Sequence, residues 1–327
     1  MKVSIVSTVY NKEKFLIKHI NSLLCQKYDN IQIIFVDDGS TDDSLKILKK
    51  YKKISNNIEV ITQDNQGPSY ARRNGFQHAD GELIYFVDSD DFLHDDNVIN
   101  RIVAIFKQYP EIDFLVGKMD TLYKNRIETD KIIYDDNIHS GKYSINLLYN
   151  KATRGSLCCK VFKKINIDKS FFINSKNYED AFFSFKYYSK SKIFYYYNTS
   201  IYTVNKTDNV SLTTNININL LDSKYNVLNQ LSSNLEFSNF KEALTRIFLK
   251  AYLDDIYYSL RLSKKNKKEF LVYLYKSEYI QVMLHSAKYK YLIHNTKYHI
   301  LYLLHRFLLN FYINFIIGMI LRRRKHG

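Results

Sequence analysis

The sequence contains few of the residues that build disulfide frameworks or metal-binding cysteine motifs. Its 327 residues include three Cys, two Pro, nine Gly and no Trp. Three cysteines are too few for a disulfide framework, and the adjacent pair Cys158–Cys159 does not have the spacing of metal ligands. We therefore expect reduced thiols, as in a protein of the cytosol.

Proline and glycine are also too scarce to form a linker. Pro68 and Pro110 are the only prolines, and no Gly/Ser-rich stretch or internal repeat interrupts the chain. The length allows one large domain or two modest ones. A mixed strand and helix pattern runs to about residue 212, and an all-helical pattern follows it through Leu321. We expect these two regions to pack together.

Long apolar runs are missing as well. Met1-Lys2 leads directly into a predicted strand, which predicts that there is no signal peptide. The run Phe307–Leu321 has 15 residues, whereas a helix needs about 20 to span a bilayer. The basic segment Arg322–Lys325 follows it, and this combination favours a helix lying in the membrane interface. A buried terminal helix that closes the core is the alternative.

The positive charge is concentrated at one end of the chain. The net charge is +15, and residues 261–327 contribute +12 of it, with fourteen Lys or Arg and two acids. Such asymmetry predicts an anionic partner. Because this region ends in an apolar run, we expect a membrane surface rather than nucleic acid. The helical extension also offers a surface for oligomerisation.

Three apolar strands are followed by polar residues. Val3–Val9 leads into Tyr10-Asn11-Lys12-Glu13, Ile31–Val36 leads into Asp37–Asp42, and Leu83–Val87 leads into Asp88–Asp91. Helical spacing lies between them, which predicts a doubly covered, mainly parallel α/β sheet. Ligands of such sheets bind outside the carboxyl ends of the strands. Carboxylates there would hold Mg²⁺ or Mn²⁺ against a diphosphate, whereas the alternative is solvated turns and helix caps.

These three motifs together resemble the family 2 glycosyltransferases, whose nucleotide-binding half has the GT-A fold. The resemblance is close over residues 3–110, weaker to about 212, and absent beyond. It implies a GT-A catalytic domain over 1–212, with a nucleotide-sugar-binding half (1–110) and an acceptor half (111–212). Residues 213–327 would form the basic, membrane-associating helical extension.

The resemblance also assigns a nucleotide pocket. Residues after the first strand would touch the base or ribose, and Asp38, with Asp37 as a neighbouring possibility, would bind the uracil ring. Arg72 would organise carboxylates or approach the phosphates, and a purely structural salt bridge is the alternative. The first-strand residues concerned are Thr8, Val9, Tyr10 and Glu13.

The motif Asp88-Ser89-Asp90 matches the DxD pair of the family. The resemblance implies that Asp90 coordinates Mn²⁺ or Mg²⁺. Asp88 would contact the ribose or sugar and join the metal site, and Ser89 would line the nucleotide-sugar pocket. Asp91 would assist them or cap the following helix.

The Glu179-Asp180 pair matches the family motif that opens a helix and carries the catalytic base. Asp180 would remove the proton from the acceptor hydroxyl, and Glu179 would raise its pKa. Lys160 matches a lysine that approaches the acceptor or diphosphate, with a plain surface lysine as the alternative. A helix-start acid pair without catalytic role is the alternative for Glu179 and Asp180.

The implied function is an inverting, metal-dependent hexosyltransferase that uses a UDP-sugar. Its acceptor would be a lipid-linked or cell-surface glycan, such as lipooligosaccharide or capsule, at the inner face of the cell membrane. The enzyme would be cytoplasmic and peripheral on that membrane. The alternatives are a nucleotidyltransferase and a non-catalytic, basic membrane-binding module.

Overall fold

A computed structural model describes residues 1–131, 135–140, 156–175 and 178–207, together with residues 226–227 and 230–231. The described strands form one ten-stranded sheet. They are β1 (Val3–Val9), β2 (Ile31–Asp37), β3 (Ile58–Thr62), β4 (Leu83–Phe86), β5 (Phe92–Leu93), β6 (Phe114–Leu122), β7 (Ile127–Glu128), β8 (Ile138–Ser140), β9 (Lys160–Lys163) and β10 (Ile193–Asn205).

The first four strands form the parallel part of the sheet. The strand order is β3-β2-β1-β4-β9-β6-β10-β5, and β1 pairs in parallel with both β2 and β4. β1, β2 and β4 are almost wholly buried, whereas β3, at the edge of the sheet, is only partly buried. The predicted parallel α/β sheet is therefore confirmed.

The second part of the sheet mixes strand directions, as predicted. β9 runs antiparallel to both β4 and β6, whereas β6 and β10 are parallel. As a result, β6 ends at the same edge of the sheet as β1, β2 and β4. The short strands β5 and β8 pair antiparallel with β10.

Five described helices pack on this sheet, and their apolar residues recur at helical spacing. In the third of them, a side chain at Gly75 would collide with Val6 Cγ1, 2.4 Å from the ideal Cβ position. Glycine therefore lets this helix lie directly on β1. The helices are α1 (Glu13–Leu24), α2 (Ser44–Lys52), α3 (Pro68–His78), α4 (Val98–Gln108) and α5 (Glu179–Lys190).

An aromatic cluster fixes α5 against the sheet. Phe183 packs edge-on against Phe86 and Phe162, with ring centroids 5.5 and 5.4 Å apart. One turn later, Tyr187 lies 4.7 Å from the Phe162 ring. Such pairs each stabilise packing by about 0.5–1.5 kcal/mol beyond area burial. The first residues of α5 are thereby held in place.

Acid pairs precede two of the helices, Asp42-Asp43 before α2 and Asp95-Asp96 before α4. Asp43 is the N-cap residue of α2 but makes no side-chain cap bond, whereas Asp42 Oδ1 accepts from Ser44 N at 2.9 Å. Before α4, Asn97 is the N-cap residue, and Asp95 Oδ1 accepts the Asn97 N–H at 2.8 Å. Asp42 and Asp95 therefore close local turns that lead into the helices.

The helical extension and the apolar run Phe307–Leu321 lie outside the described residues. By contacts between Cα atoms the chain divides at Phe237, 25 residues beyond the predicted boundary at 212. Among the residues that the structure describes, no helix is both long and apolar enough to cross a membrane. The predicted boundary at residue 212, the packing of the two regions and the interfacial helix stay predictions.

Candidate active site

The three predicted polar segments meet at the carboxyl edge of the sheet. The Asp38 N–H donates to Val9 O at 2.8 Å, which joins the ends of β1 and β2. Lys12, at the start of α1, reaches across β1 to Asp90 beyond β4, with Nζ 2.5 Å from Oδ2. The described residues therefore form one shared site at this edge of the sheet.

The two acids after β2 are both buried, but they have different partners. Asp38 accepts three hydrogen bonds, from Gln63 Nε2 and from the backbone N–H groups of Gln66 and Gly67, at 2.8 to 2.9 Å. Its carboxylate thereby holds the turn at Gly67, whose φ of 89° favours glycine. Asp37 accepts from Ser40 N at 3.3 Å, and its Oδ1 is buried without a hydrogen-bond partner among the described residues. Of the two acids, Asp37 thus has the oxygen without a partner, and that oxygen has almost no accessible surface.

The first-strand residues differ in their exposure and partners. Tyr10 is 47% exposed, Thr8 is partly buried, and the Val9 side chain lies in the core. Glu13 Oε2 accepts from Asp43 N at 3.0 Å and so ties α1 to α2. Their assignment to a nucleotide pocket stays a prediction.

Arg72 connects the two acidic motifs of the site. From α3, its Nη2 lies 3.0 Å from Asp88 Oδ1 and its Nη1 lies 2.6 Å from Glu179 Oε1. Burial disfavours the guanidinium charge, but Asp88 and Glu179 outweigh that effect and keep the pKa of Arg72 above its usual value. The residue is a permanent cation between two acids, one of which, Glu179, lies 107 residues from it in sequence. That Arg72 organises catalytic carboxylates, rather than forming a purely structural salt bridge, stays a prediction.

Asp180 lies beside this bridge at the start of α5. Tyr178 precedes the helix in the left-handed region, with a φ of 61°, and Asp180 Oδ1 accepts from Ala181 N at 2.7 Å. Burial and the charge of Glu179 raise the pKa of Asp180 to about 7, although Arg72 opposes them. A carboxyl group that titrates near neutrality is suited to accept a proton as a general base.

The DxD carboxylates are the most accessible acids of the cluster. The side chains of Asp88 and Asp90 are 41% and 36% exposed, while Ser89 is buried between them. The described residues contain no group of three or more His, Cys, Asp or Glu placed to hold a metal ion. Two accessible carboxylates fit an ion such as Mg²⁺ or Mn²⁺, which takes one or two protein oxygens and completes its shell with phosphate and water.

Asp91 anchors the DxD segment to the end of β10. Its Oδ2 accepts from the Tyr202 hydroxyl at 2.7 Å, and its Oδ1 accepts from Asn205 N at 2.8 Å. Burial, followed by the charges of Asp88 and Asp90, raises the pKa of Asp91 to about 8. Asp91 therefore assists the pair by joining segments that lie over 110 residues apart in sequence.

His19 supports the same segment from α1. Its ring bonds Ser7 Oγ at 2.9 Å through Nε2 and the carbonyl oxygen of Asp91 at 2.7 Å through Nδ1. Burial lowers the pKa of His19 to about 4, so the ring is neutral at neutral pH. Both ring nitrogens are therefore engaged inside the core.

The alternative interpretation of Lys160 as a surface lysine is wrong. Lys160 lies in β9 and is fully buried, because this strand is covered on both faces. Its ammonium group donates to the carbonyl oxygen of Ser156 and lies 3.7 Å from Cys159 Sγ. Cys158 and Cys159 are buried free cysteines and Cys25 is an exposed one.

A cavity of about 280 Å³ opens beside the DxD segment. It lies between α1, the start of β5 and the residues that follow β10. The described part of the segment after β10 ends at Thr207. The cavity is lined by Lys14, Phe15, Lys18, His19, Asp90, Asp91, Phe92, Asn205 and Thr207.

Replacing Tyr202 by Phe is expected to destabilise this anchor. The hydroxyl donates to Asp91 and also accepts the Asp88 N–H at 3.2 Å, so its loss leaves two buried groups unpaired. We expect the free energy of unfolding to fall by about 1–3 kcal/mol, measured by urea denaturation. Tyr195→Phe on the same strand is the matched control, because its hydroxyl bonds only a carbonyl, that of Asp136. Equal losses of unfolding free energy in the two variants would contradict the role of the Tyr202 hydroxyl in anchoring the DxD segment.

Comparison with known proteins places the chain in a family. The family model described as Glycosyl transferase family 2 matches residues 4–171, about half of the chain. Glycosyltransferase GlyA of Streptococcus pneumoniae is 32% identical over 166 residues, which are 51% of this chain and 21% of GlyA. Glycosyltransferase GlyG of the same species is 36% identical over 135 residues, which are 40% of this chain and 42% of GlyG. The chain therefore spans less than half the length of either relative.

Solved structures show the same fold. The crystal structure of S. aureus TarS 1-349 in complex with UDP-GlcNAc superimposes with a TM-score of 0.71 and 21% sequence identity. The match covers 86% of this chain and 82% of that one. The fold is thus the predicted GT-A type, a mixed and mainly parallel sheet flanked by helices. The family model, the relatives and this shared fold together establish that this chain belongs to the family 2 glycosyltransferases.

Proposed function

We propose that this protein is an inverting glycosyltransferase that moves a hexose or N-acetylhexosamine from a UDP-sugar to a hydroxyl group of a glycan. The bridge from Asp88 through Arg72 to Glu179 carries this proposal. It joins the segment expected to meet the donor to the helix that begins with Asp180. The groups that would stabilise the leaving diphosphate therefore lie next to the group that would act as the base, as transfer in a single displacement requires.

The donor is assigned from the chemistry of the edge. A nucleoside diphosphate needs hydrogen-bond acceptors for its base and positive charge for its phosphates. Asp38, or its neighbour Asp37, whose Oδ1 has no hydrogen-bond partner among the described residues, would serve the first need, and Lys12 and Arg72, which lie beside the DxD pair, would serve the second. The TarS structure, described as a complex with UDP-GlcNAc, supports a UDP-sugar, and family membership favours glycosyl transfer over nucleotidyl transfer.

A divalent ion held by Asp90, with Asp88 beside it, would supply positive charge to the departing diphosphate. Side chains of the protein would carry out the remaining steps. Asp180 would take the proton of the acceptor hydroxyl as the oxygen attacks the anomeric carbon from the face opposite the diphosphate. Glu179 keeps Arg72 in place and raises the pKa of Asp180. The attack from the opposite face would invert the configuration of the sugar.

The rate of transfer is expected to rise with pH through about 7. Asp180 accepts a proton only when ionised, and its pKa is raised to about 7. The measurement is kcat/KM for UDP release between pH 5.5 and 9, which reports the ionisation of the free enzyme. A flat profile between pH 6 and 8 would contradict the assignment of the base.

The ionisation of Asp180 should raise activity but lower the stability of the fold. The folded protein binds the Asp180 proton more tightly than the unfolded chain, whose ordinary value is 3.8. Its contribution therefore lowers the free energy of unfolding as the pH rises from about 4 to about 7. In Asp180→Asn this part of the decline should disappear, which urea denaturation across that range measures.

The acceptor and location are inferred from the charge of the chain. Residues 261–327 carry a net charge of +12 and include the apolar run Phe307–Leu321. A lipid-linked glycan, such as a lipooligosaccharide or capsule precursor, at the inner face of the cell membrane fits this combination. The acceptor would be bound by residues 111–212. Flotation with phosphatidylglycerol vesicles tests this location, and binding should weaken when Arg322–Lys325 are replaced by Gln.

A panel of UDP-sugars tests the proposed activity. UDP release with Mn²⁺ should occur for one hexose or N-acetylhexosamine donor and should stop when EDTA removes the ion. Release of pyrophosphate from a nucleoside triphosphate would favour a nucleotidyltransferase instead. Vesicle binding without any nucleotide binding would favour the non-catalytic membrane module.

A further inference from the structure

Asp90 is paired with a cation that belongs to the protein itself. Lys12 Nζ lies 2.5 Å from Asp90 Oδ2, and the two side chains are 25% and 36% exposed. Among the described residues, no other hydrogen-bond or ion-pair partner reaches this carboxylate. The ammonium group therefore occupies the position in front of the Asp90 oxygen that a coordinated metal ion would take.

The backbone of Lys12 is fixed, so only its side chain can leave this position. Its N–H donates to Ser44 Oγ at 2.8 Å, and its carbonyl oxygen accepts from Phe15 N and Leu16 N at 2.9 and 3.0 Å. Beyond Cα, a flexible four-carbon stem carries the ammonium group. That stem allows the charge to move by several ångströms while α1 stays in place.

Arg72 gives the neighbouring carboxylate a different kind of partner. Its side chain is 11% exposed and is held by Glu179 as well as by Asp88. One DxD acid thus faces a fixed cation and the other a movable one. Only the carboxylate with the movable partner can be freed by a side-chain rotation.

We propose that Lys12 occupies Asp90 in the nucleotide-free protein and is displaced when a divalent ion binds together with a nucleoside diphosphate. The displaced ammonium group then contacts the diphosphate. This inference rests on the proposed function. An ammonium group and a divalent ion repel each other when both contact one carboxylate, so the ion alone binds weakly. The diphosphate removes the competitor, and ion and nucleotide strengthen each other's binding by the same factor.

Mn²⁺ binding to the full chain tests the competition without any activity assay. Free Mn²⁺ is measured by electron paramagnetic resonance for the wild type, Lys12→Met and Lys14→Met, with Asp90→Asn as the blank for other sites. Lys14 is the matched control because it lies on the same helix and lines the cavity beside Asp90. We expect Lys12→Met to tighten Mn²⁺ binding by about three- to tenfold, from the energy of a partly exposed ion pair. Lys14→Met should change it by less than about twofold.

Titration with UDP in saturating Mn²⁺ tests the second part of the proposal, that Lys12 contacts the diphosphate. Lys12→Met should weaken UDP binding by about tenfold, since a charge-assisted hydrogen bond is lost. Equal Mn²⁺ affinities for Lys12→Met and Lys14→Met would overturn the competition, as would undetectable Mn²⁺ binding in every variant. Tighter Mn²⁺ with unchanged UDP would overturn the transfer of Lys12 to the diphosphate. A wild type that binds Mn²⁺ but no UDP would instead contradict the proposed function.

Discussion

Replacing Asp180 by Asn is expected to lower the rate of sugar transfer by more than about a hundredfold while UDP-sugar binding stays intact. Asn has nearly the same shape but cannot accept the proton of the acceptor hydroxyl. The link from Arg72 to Glu179 should be unaffected because it does not use the Asp180 side chain, and the Oδ1 of Asn can still accept the Ala181 N–H at the start of α5. Transfer is measured as UDP release with acceptor present, and binding by titration calorimetry.

An exposed acid of the same half of the chain provides the control. Asp168 accepts from Ser170 N at 2.8 Å and lies outside the acidic cluster. Asp168→Asn should keep the wild-type rate. A fully active Asp180→Asn variant would remove Asp180 as the base, and loss of UDP-sugar binding would indicate a structural role for the acid pair.

Arg72→Met is expected to have the second large effect, on both stability and activity. It leaves Asp88 and the largely buried Glu179 without their shared cation, and the Glu179 side chain is 11% exposed. Breaking a buried ion pair by removing one partner costs about 3–5 kcal/mol. We expect a loss of that size in urea denaturation, and transfer activity should fall below detection.

Two further variants separate folding from function. Arg72→Lys keeps one positive charge but lacks the planar group that reaches both acids, so it should fold and still lose most activity. Arg73→Met removes the next arginine of α3, which makes no ion pair among the described residues. It should keep both stability and activity. A stable and active Arg72→Lys variant would show that the bridge is dispensable.

The sequence alone predicted the elements whose signals are local. Apolar strands that end in Asp37, Asp38 and Asp88 to Asp91 place polar groups at one sheet edge whenever the strands are parallel. The Glu179-Asp180 pair was identified because it matches the family motif that opens a helix. Both kinds of signal lie within about ten residues, where periodicity and turn chemistry act.

The partners of those acids could not be predicted, since they come from distant segments. Lys12 and Asp90 are 78 residues apart, and Tyr202 and Asp91 are 111 apart. The burial of Lys160 follows from strand β9 lying between β4 and β6, an order that its own sequence does not encode. A lysine inside an apolar strand was the only available signal, and it also fitted a surface residue.

The most direct test of the account is UDP release from UDP-sugars by the wild type and Asp90→Asn, each with Mn²⁺ and with EDTA. We predict release from a single UDP-sugar by the wild type in Mn²⁺, none in EDTA, and at most about one per cent of that rate for Asp90→Asn. Equal release in Mn²⁺ and EDTA, or an active Asp90→Asn variant, would contradict a metal-assisted transferase centred on Asp90.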